Sequence, residues 1–455
     1  MNKYFKWSFF VIYVVITFIR VLHHNTWFDE SRAWLIAEYL NLFEIFDLMK
    51  SEGHTFVWYV LLMPFAKTHF AYPYSMLILN WLFCVSAVFL IWKYSPFNTF
   101  TKAVITFSSP FFILYALVAR CYAIGIFLLF VLTALYRDKS KIPVIYSILI
   151  LLTANTSVVA IGGAFAFAIL LWLELIKTKQ YKNLAISVIL GLSCFTLLCL
   201  QLYGANPATT GLKNMLLGLN FEFFSNVFVF PSLILNLTLL TAFSVITIIC
   251  LKKSICSSLF LGITYVYLLS VFHFVYLGES WHHYFFFVYF IIAVWLYRNE
   301  EKVSDFYKII LTSVLILVSI FYCIDLRFKN GVFNSGSKII ADKIIELGKS
   351  SSIIFVGKEF FKVLPYIETK DIDYYYSCKS EKVNNPIKEE KSITKIINPD
   401  IVAKIYKKNQ NTYVFILNEE YPLNSFKIPA EDGIYELNIT DVYGDCVYIF
   451  KVNKM

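Results

Sequence analysis

Asp29 and Glu30 stand side by side, with Arg32 two positions on, in the segment that leaves the first apolar run of this chain. A carboxylate is ionised at neutral pH and takes a proton from a hydroxyl held against it, while a guanidinium offers paired N–H donors to carboxylate or phosphate oxygens. Ionisable groups this close to lipid are costly, which marks them as functional candidates. The bland reading is a helix cap: Thr26-x-x-Asp29 matches a capping box that satisfies the orphan N–H groups of a helix start. Local sequence divides evenly between the two.

Other chemistry-bearing residues lie far apart in sequence, each at a turn between apolar runs: His54, the pair Arg120 and Tyr122, and the trio Glu279, His282 and His283. If these turns converge on one outward-facing pocket, they suit transfer of a group from a lipid phosphate. A carboxylate would take the proton of the acceptor hydroxyl, and Arg120 and the histidines would steady the phosphate that leaves. Arg120 alone reads equally well as an interfacial anchor. His282 and His283 are adjacent and do not share a helix face, which favours an interfacial pair beside Trp281 over a metal site. His69 and His273 read as structural, and His23-His24 warrants no assignment.

The elements that must position these residues are apolar helices. At 455 residues, 58% hydrophobic and 16% charged, with mean hydropathy +0.65, the chain reads as a polytopic membrane protein. Its net charge of +9 comes from Lys and Arg in short loops and in the C-terminal tail, not from one basic stripe, which argues against a nucleic-acid partner. Apolar stretches run over Trp7 to Leu22, Tyr74 to Trp92, Ala103 to Ala119, Ile124 to Tyr136, Ile142 to Ala154, Val158 to Trp172, Leu184 to Leu202, Val227 to Leu251, Leu259 to Leu277, Tyr284 to Tyr297 and Phe306 to Ile324, which predicts about eleven crossings. The first follows Lys3 and Lys6 but ends without a small-residue cleavage site, so it reads as an anchor. Lys93/Lys102, Arg137/Lys139/Lys141, Lys177/Lys179/Lys182, Lys252/Lys253 and Arg298/Lys302 then alternate as cytoplasmic loops. The turns at Arg120, Asn155-Thr156, Tyr203 to Asn226 and Gly278 to His283 face outward. Phe56 to Ala66, interrupted by Pro64, reads as re-entrant or interfacial, and Asp29 to Lys50 as one amphipathic helix on the outer surface.

After about Asn330 the pattern becomes that of a soluble domain, with a helix over Lys338 to Leu347 and strands over Ser352 to Gly357, Thr412 to Leu417 and Val447 to Val452. The fold class is therefore an α-helical membrane domain, residues 1–329 with a first external loop at about 23–55, followed by a small extracytoplasmic α/β domain, residues 330–455. It carries no glycine-rich nucleotide fingerprint. Of nine cysteines, seven lie in or beside apolar helices and behave as small hydrophobes; Cys378 and Cys446 remain as a pair that an oxidising compartment would allow to bridge.

In sequence order, the Asp-Glu-x-Arg motif (Asp29, Glu30, Arg32), a Gly-His-x-x-x-Trp-Tyr stretch (Gly53, His54, Trp58, Tyr59), an Ala-Arg-x-Tyr turn (Ala119, Arg120, Tyr122) and a soluble tail resemble the C-type (GT-C) glycosyltransferases, which include protein O-mannosyltransferases and the lipid A aminoarabinose transferase. The resemblance covers nearly the whole chain, with its most specific motif in the first external loop. It implies an inverting transfer of a sugar from a polyprenyl-phosphate donor to a glycan, lipid or protein acceptor outside the membrane, with Asp29 as general base and Glu30 assisting. Arg32, His54, Arg120, Tyr122, Glu279, His282 and His283 would then bind substrate. Several relatives carry a second-loop Asp near the position of Arg120 to Tyr122, where none stands here. Glu279 is its candidate substitute, and a divalent cation stays open as cofactor. The rivals are a surface-polysaccharide polymerase or ligase, which would place key groups in a large later loop, and a flippase or transporter, which would place ionisable groups at mid-membrane.

Overall fold

The computed structural model describes residues 3–202, 244–276, 278–324, 336–348, 350–367, 372–390, 393, 395–417, 425–443 and 447–455. The expected loop at 203–226, most of the expected span at 227–251 and the Cys378–Cys446 pairing fall outside these residues. The chain divides into two compact units, one of Met1–Leu22, Phe43–Trp58 and Leu77–Asn330, the other of His23–Leu42, Tyr59–Met76 and Gly331–Met455. The second unit thus begins near the expected boundary but also takes in residues 23–42 and 59–76, grouped by sequence with the membrane helices.

The chain is mostly helical: α1 (Lys3–Leu22), α2 (Phe28–Tyr39), α3 (Leu42–Glu52), α4 (Val57–Ala66), α5 (Tyr74–Tyr94), α6 (Thr99–Thr106), α7 (Tyr122–Ala134), α8 (Pro143–Ala154), α9 (Val158–Lys177), α10 (Tyr181–Leu202), α11 (Ile255–Phe274), α12 (Ser280–Arg298), α13 (Asp305–Ile324) and α14 (Ser337–Leu347) precede a small C-terminal sheet region. Among the described residues five helices, α5, α9, α10, α11 and α13, are long and apolar enough to cross a membrane, or six if a bent pair counts as one span. The pair is α6 with residues 110–117, bent by 56° within the stretch expected as a single span over Ala103 to Ala119. Pro110 lacks the N–H that would continue the ladder, and the chain resumes through a wide turn over Pro110–Leu114. At ten residues, α4 is about 15 Å long, half of a hydrocarbon core.

The helices of the first unit differ in what surrounds them. Only 11% of the apolar window of α10 is buried, against 61% for α9. Residues 284–297 of α12 are buried without a break, as expected of a helix apolar on every side. Tyr289 shows how closely it is held, since its hydroxyl donates to the Val159 carbonyl and accepts from Gly163 N–H at 2.9 Å.

The single amphipathic helix expected from Asp29 to Lys50 is instead two. Leu40 is extended (φ −104°, ψ 150°) and ends α2, while Lys67 Nζ donates to the Glu38 and Leu40 carbonyls, both at 3.0 Å, and so satisfies groups the helix end leaves open. Nor is α2 a surface helix, because Ala33, Trp34, Leu35, Ile36 and Ala37 are all buried. Only α3 has the two-faced character, with Ile45 and Met49 buried and Phe43 86% exposed.

The second unit carries a six-stranded sheet in the order β2-β1-β3-β6-β5-β4, built from β1 (Ser352–Val356), β2 (Asp373–Tyr376), β3 (Thr412–Leu417), β4 (Ser425–Ala430), β5 (Gly433–Tyr443) and β6 (Val447–Lys454). β1 is parallel to both neighbours, with Ile354 opposite Tyr375 and Val414. It is buried along its whole length, as a central parallel strand must be. The remaining pairs are antiparallel. The chain leaves the carboxyl end of β1 at Gly357 (φ +81°), and the segment that follows meets the residues around Asp29.

Candidate functional site

In the helical unit the structure brings together His54, Arg120, Tyr122, His282 and His283. Gly53, in the left-handed region at φ +66°, follows the end of α3 and turns the chain. Phe56 N–H then donates to Gln201 Oε1 at 3.1 Å and Val57 N–H to the Asn155 carbonyl, fastening the His54 turn to the ends of α8 and α10. Gln201 Nε2 donates to Asn155 Oδ1 at 2.9 Å, so these buried amides brace one another. The His54 ring lies 5.8 Å from that of Tyr122 and stacks at 6.2 Å on that of His282.

His282 is held from both sides. Glu279 N–H donates to its Nδ1 at 2.9 Å, which assigns the proton to Nε2 and makes that nitrogen the donor to Tyr122 Oη at 2.8 Å. Burial, with His54, His283 and Arg120 nearby, pushes His282 well below the usual histidine range, in keeping with a neutral ring. Arg120 sits on a turn closed by its N–H to the Val118 carbonyl at 2.9 Å.

His283 points elsewhere, against Phe272 at 4.8 Å, as adjacency on a helix requires. Glu279 serves α12 through its backbone, and its side chain is exposed. Among the described residues no group of three or more His, Cys, Asp or Glu is placed to hold a metal ion. Thr55 and Trp58, which the sequence did not mark as binding residues, are buried with no hydrogen-bond partner for the Thr55 hydroxyl or the Trp58 indole N–H among the described residues. Leaving such donors unmade in a dry interior costs roughly 1–3 kcal/mol each.

In the second unit lie Asp29, Glu30 and Arg32. The cap expected from Thr26 and Asp29 is displaced by one residue: Trp27 is the N-cap, and its N–H donates to Glu30 Oε2 at 3.0 Å. Thr26 is otherwise engaged, its hydroxyl bonded to Tyr72 at 2.8 Å and Tyr366 at 3.1 Å. Glu30 is fully buried and also receives His24 Nε2, 2.9 Å from Oε2 and 3.1 Å from Oε1. His24, which the sequence left unassigned, is therefore the side-chain hydrogen-bond partner of Glu30. Asp29, one residue earlier, is half-buried and within reach of solvent. Burial, with Tyr366 and Glu30 adding to it, pushes the Tyr72 hydroxyl well above its usual range, so it stays protonated and bonds Ser31 Oγ at 2.9 Å.

Arg32, one turn beyond Asp29, pairs through Nη2 with Glu390 Oε2 at 2.8 Å, and Lys358 Nζ takes the other oxygen at 3.2 Å. Burial resists ionisation of Glu390, but Arg32 and Lys358 outweigh it and hold the carboxyl below its usual range. Comparison of the chain with protein-family models, with curated proteins and with solved structures finds no match.

Proposed function

We propose that this protein is an integral membrane glycosyltransferase of the GT-C type that moves a sugar from a polyprenyl-phosphate donor to an acceptor hydroxyl on the extracytoplasmic side. The observation that carries this reading is the division of labour between the adjacent carboxylates. Glu30 is buried and bonded to the helix start and His24, while Asp29 beside it is half-buried and within reach of solvent, the position that suits proton transfer with an acceptor. Asp29 takes the proton of the acceptor hydroxyl as its oxygen bonds to the anomeric carbon, the bond from that carbon to the phosphate oxygen breaks, and the configuration inverts.

Within the helical unit, taken by itself, the groups around His282 suit an anion such as a phosphate. Tyr122, held by a neutral His282, and Arg120 are polar and cationic groups of the kind that suits an anion, and the Thr55 hydroxyl and Trp58 indole N–H near His54 suit the polar head of the donor. Glu30 becomes a structural partner of Asp29 rather than a second base. About eleven crossings with the C-terminal domain outside complete the reading.

The test is a panel of polyprenyl-phosphate hexoses and pentoses presented to the full chain in lipid nanodiscs, with released polyprenyl phosphate measured in the presence of glycan, lipid and peptide acceptors. Release that Asp29→Asn abolishes supports the transferase. Movement of the intact lipid-linked sugar between leaflets without release would replace it with a transporter. Cysteines introduced at Gly278 and in the tail should label from outside, and cysteines at Lys179 and Lys252 should not; the reverse pattern would overturn the topology.

A further inference from the structure

Residues 26–32 bond with the segment that leaves the carboxyl end of β1 and with the start of α14. Phe28 packs edge-on to Phe361 with ring centroids 5.8 Å apart, Ser31 Oγ lies 3.5 Å from the Lys362 carbonyl, Thr26 meets Tyr366, and Ser337 Oγ donates to the Thr26 carbonyl at 3.0 Å. The end of β1 lies where the chain passes from β2 on one side to β3 on the other, the place where open α/β sheets present functional groups. The contact with a charge to balance is Arg32–Glu390, between residues 358 positions apart in sequence.

Resting on the transferase reading, we propose that Glu390 is a positioning residue: it holds Arg32, and with it the helical turn that carries Asp29, in the working orientation. The geometry makes this an electrostatic device rather than a packing contact. Glu390 is shared by two cations, Arg32 and Lys358, whose ion-paired nitrogens each hold a different carboxylate oxygen. Its side chain is 14% exposed and that of Arg32 16%, so solvent screens the pair only in part. Removing the carboxylate charge while keeping its shape leaves two cations facing one another across the former ion pair. Arg32 would then be driven off, and α2 would be loosened at its first turns, where Asp29 and Arg32 share a face. Lys358 is half-exposed and supplies the repulsion. Removing its charge as well should relieve the defect.

The experiment compares the full chain in nanodiscs as wild type, Glu390→Gln, Glu390→Asp, and Glu390→Gln combined with Lys358→Gln. It follows hydrogen exchange of the α2 amides and turnover with the donor panel. Glu390→Gln should speed exchange in the first turns of α2 and lower kcat, each roughly tenfold, with KM for the donor held within about twofold, since a slight misplacement of a reacting group is costly in rate. Glu390→Asp should recover most of both losses, and so should the added Lys358→Gln. Unchanged α2 exchange in Glu390→Gln overturns the proposal, as does a loss that neither second variant relieves, which would mark a plain packing role. If wild-type protein releases polyprenyl phosphate from no donor, the transferase reading fails by itself, and the exchange measurements alone still decide whether Glu390 holds Arg32.

Discussion

Two buried histidines, one in each unit, are fixed in opposite ways. His282 receives an N–H at one ring nitrogen, gives its proton to a tyrosine, and sits among other bases. His24 faces a buried carboxylate that is itself tied to a helix start. The first holds a tyrosine hydroxyl through a neutral ring; the second ties an acid to a helix start. Each is fixed in part by a backbone group that a substitution leaves in place, the Glu279 N–H at His282 and the Trp27 N–H at Glu30.

The sharpest way to break this comparison is at Asp29. Asp29→Asn keeps the size of the side chain and leaves the Trp27–Glu30 cap untouched, so turnover should fall by about 10²- to 10⁴-fold, the usual worth of a positioned general base, with thermal stability unchanged. A matching fall in stability would return Asp29 to a helix-start role. Next is Gly278→Ala. Gly278 has φ +78°, and an added Cβ would stand 2.9 Å from Phe272 and 3.0 Å from His283 Nε2. A loss of about 2–3 kcal/mol is expected in thermal or denaturant unfolding, with donor binding weakened because the turn carries Glu279 and His282.

Tyr122→Phe removes only the hydroxyl that His282 orients. KM for the donor should rise about tenfold with kcat changed little, as for loss of one charge-assisted bond to phosphate, worth about 1.5 kcal/mol. Equal loss of kcat would place the hydroxyl nearer the reacting atoms. The smallest effect belongs to pH. A histidine whose folded pKa is depressed contributes stability that is present above its unfolded value, near 6.5, and is lost as pH falls from there toward the folded value, by about 1.4 kcal/mol per unit at most. His282→Gln should remove that part of the acid sensitivity. Glu390, also depressed, should act in a lower window, with its stability present above about pH 4.3 and lost below it. Coincident windows in melting curves of His282→Gln and Glu390→Gln would show that the two devices do not differ as described.

Much of the architecture was legible in apolar periodicity: the helix at 7–22, the long helices and the strands at 352–356 and 412–417 follow from which residues must leave water. The break between α2 and α3 was not, because Leu40 turns the chain where the glutamates, asparagine and aspartate of 38–47 continue a helical spacing, and the side chain that satisfies the broken end, Lys67, arrives 27 residues later. The cap was misread by one position for a similar reason. Thr26 is the conventional residue for the role, but tyrosines distant in sequence take its hydroxyl, and a tryptophan, which no pattern favours, stands in its place. His282 and Tyr122 could be named from sequence because each lies at a helix start. Glu390 and His24 could not, since nothing in their neighbourhoods distinguishes them from a solvated acid and an interfacial base.

The enclosure of α12 bears on how the chain is made. Its sixteen buried positions from 282 to 297 include tyrosines, histidines and a tryptophan, and it is not among the helices apolar enough to enter a bilayer on length and composition alone. Such a segment is held by protein on every side, through bonds such as Tyr289 to the backbone of α9. It would therefore settle only once α7 and α9 are in place to receive it, which makes the order of synthesis part of the route by which His282 reaches Tyr122.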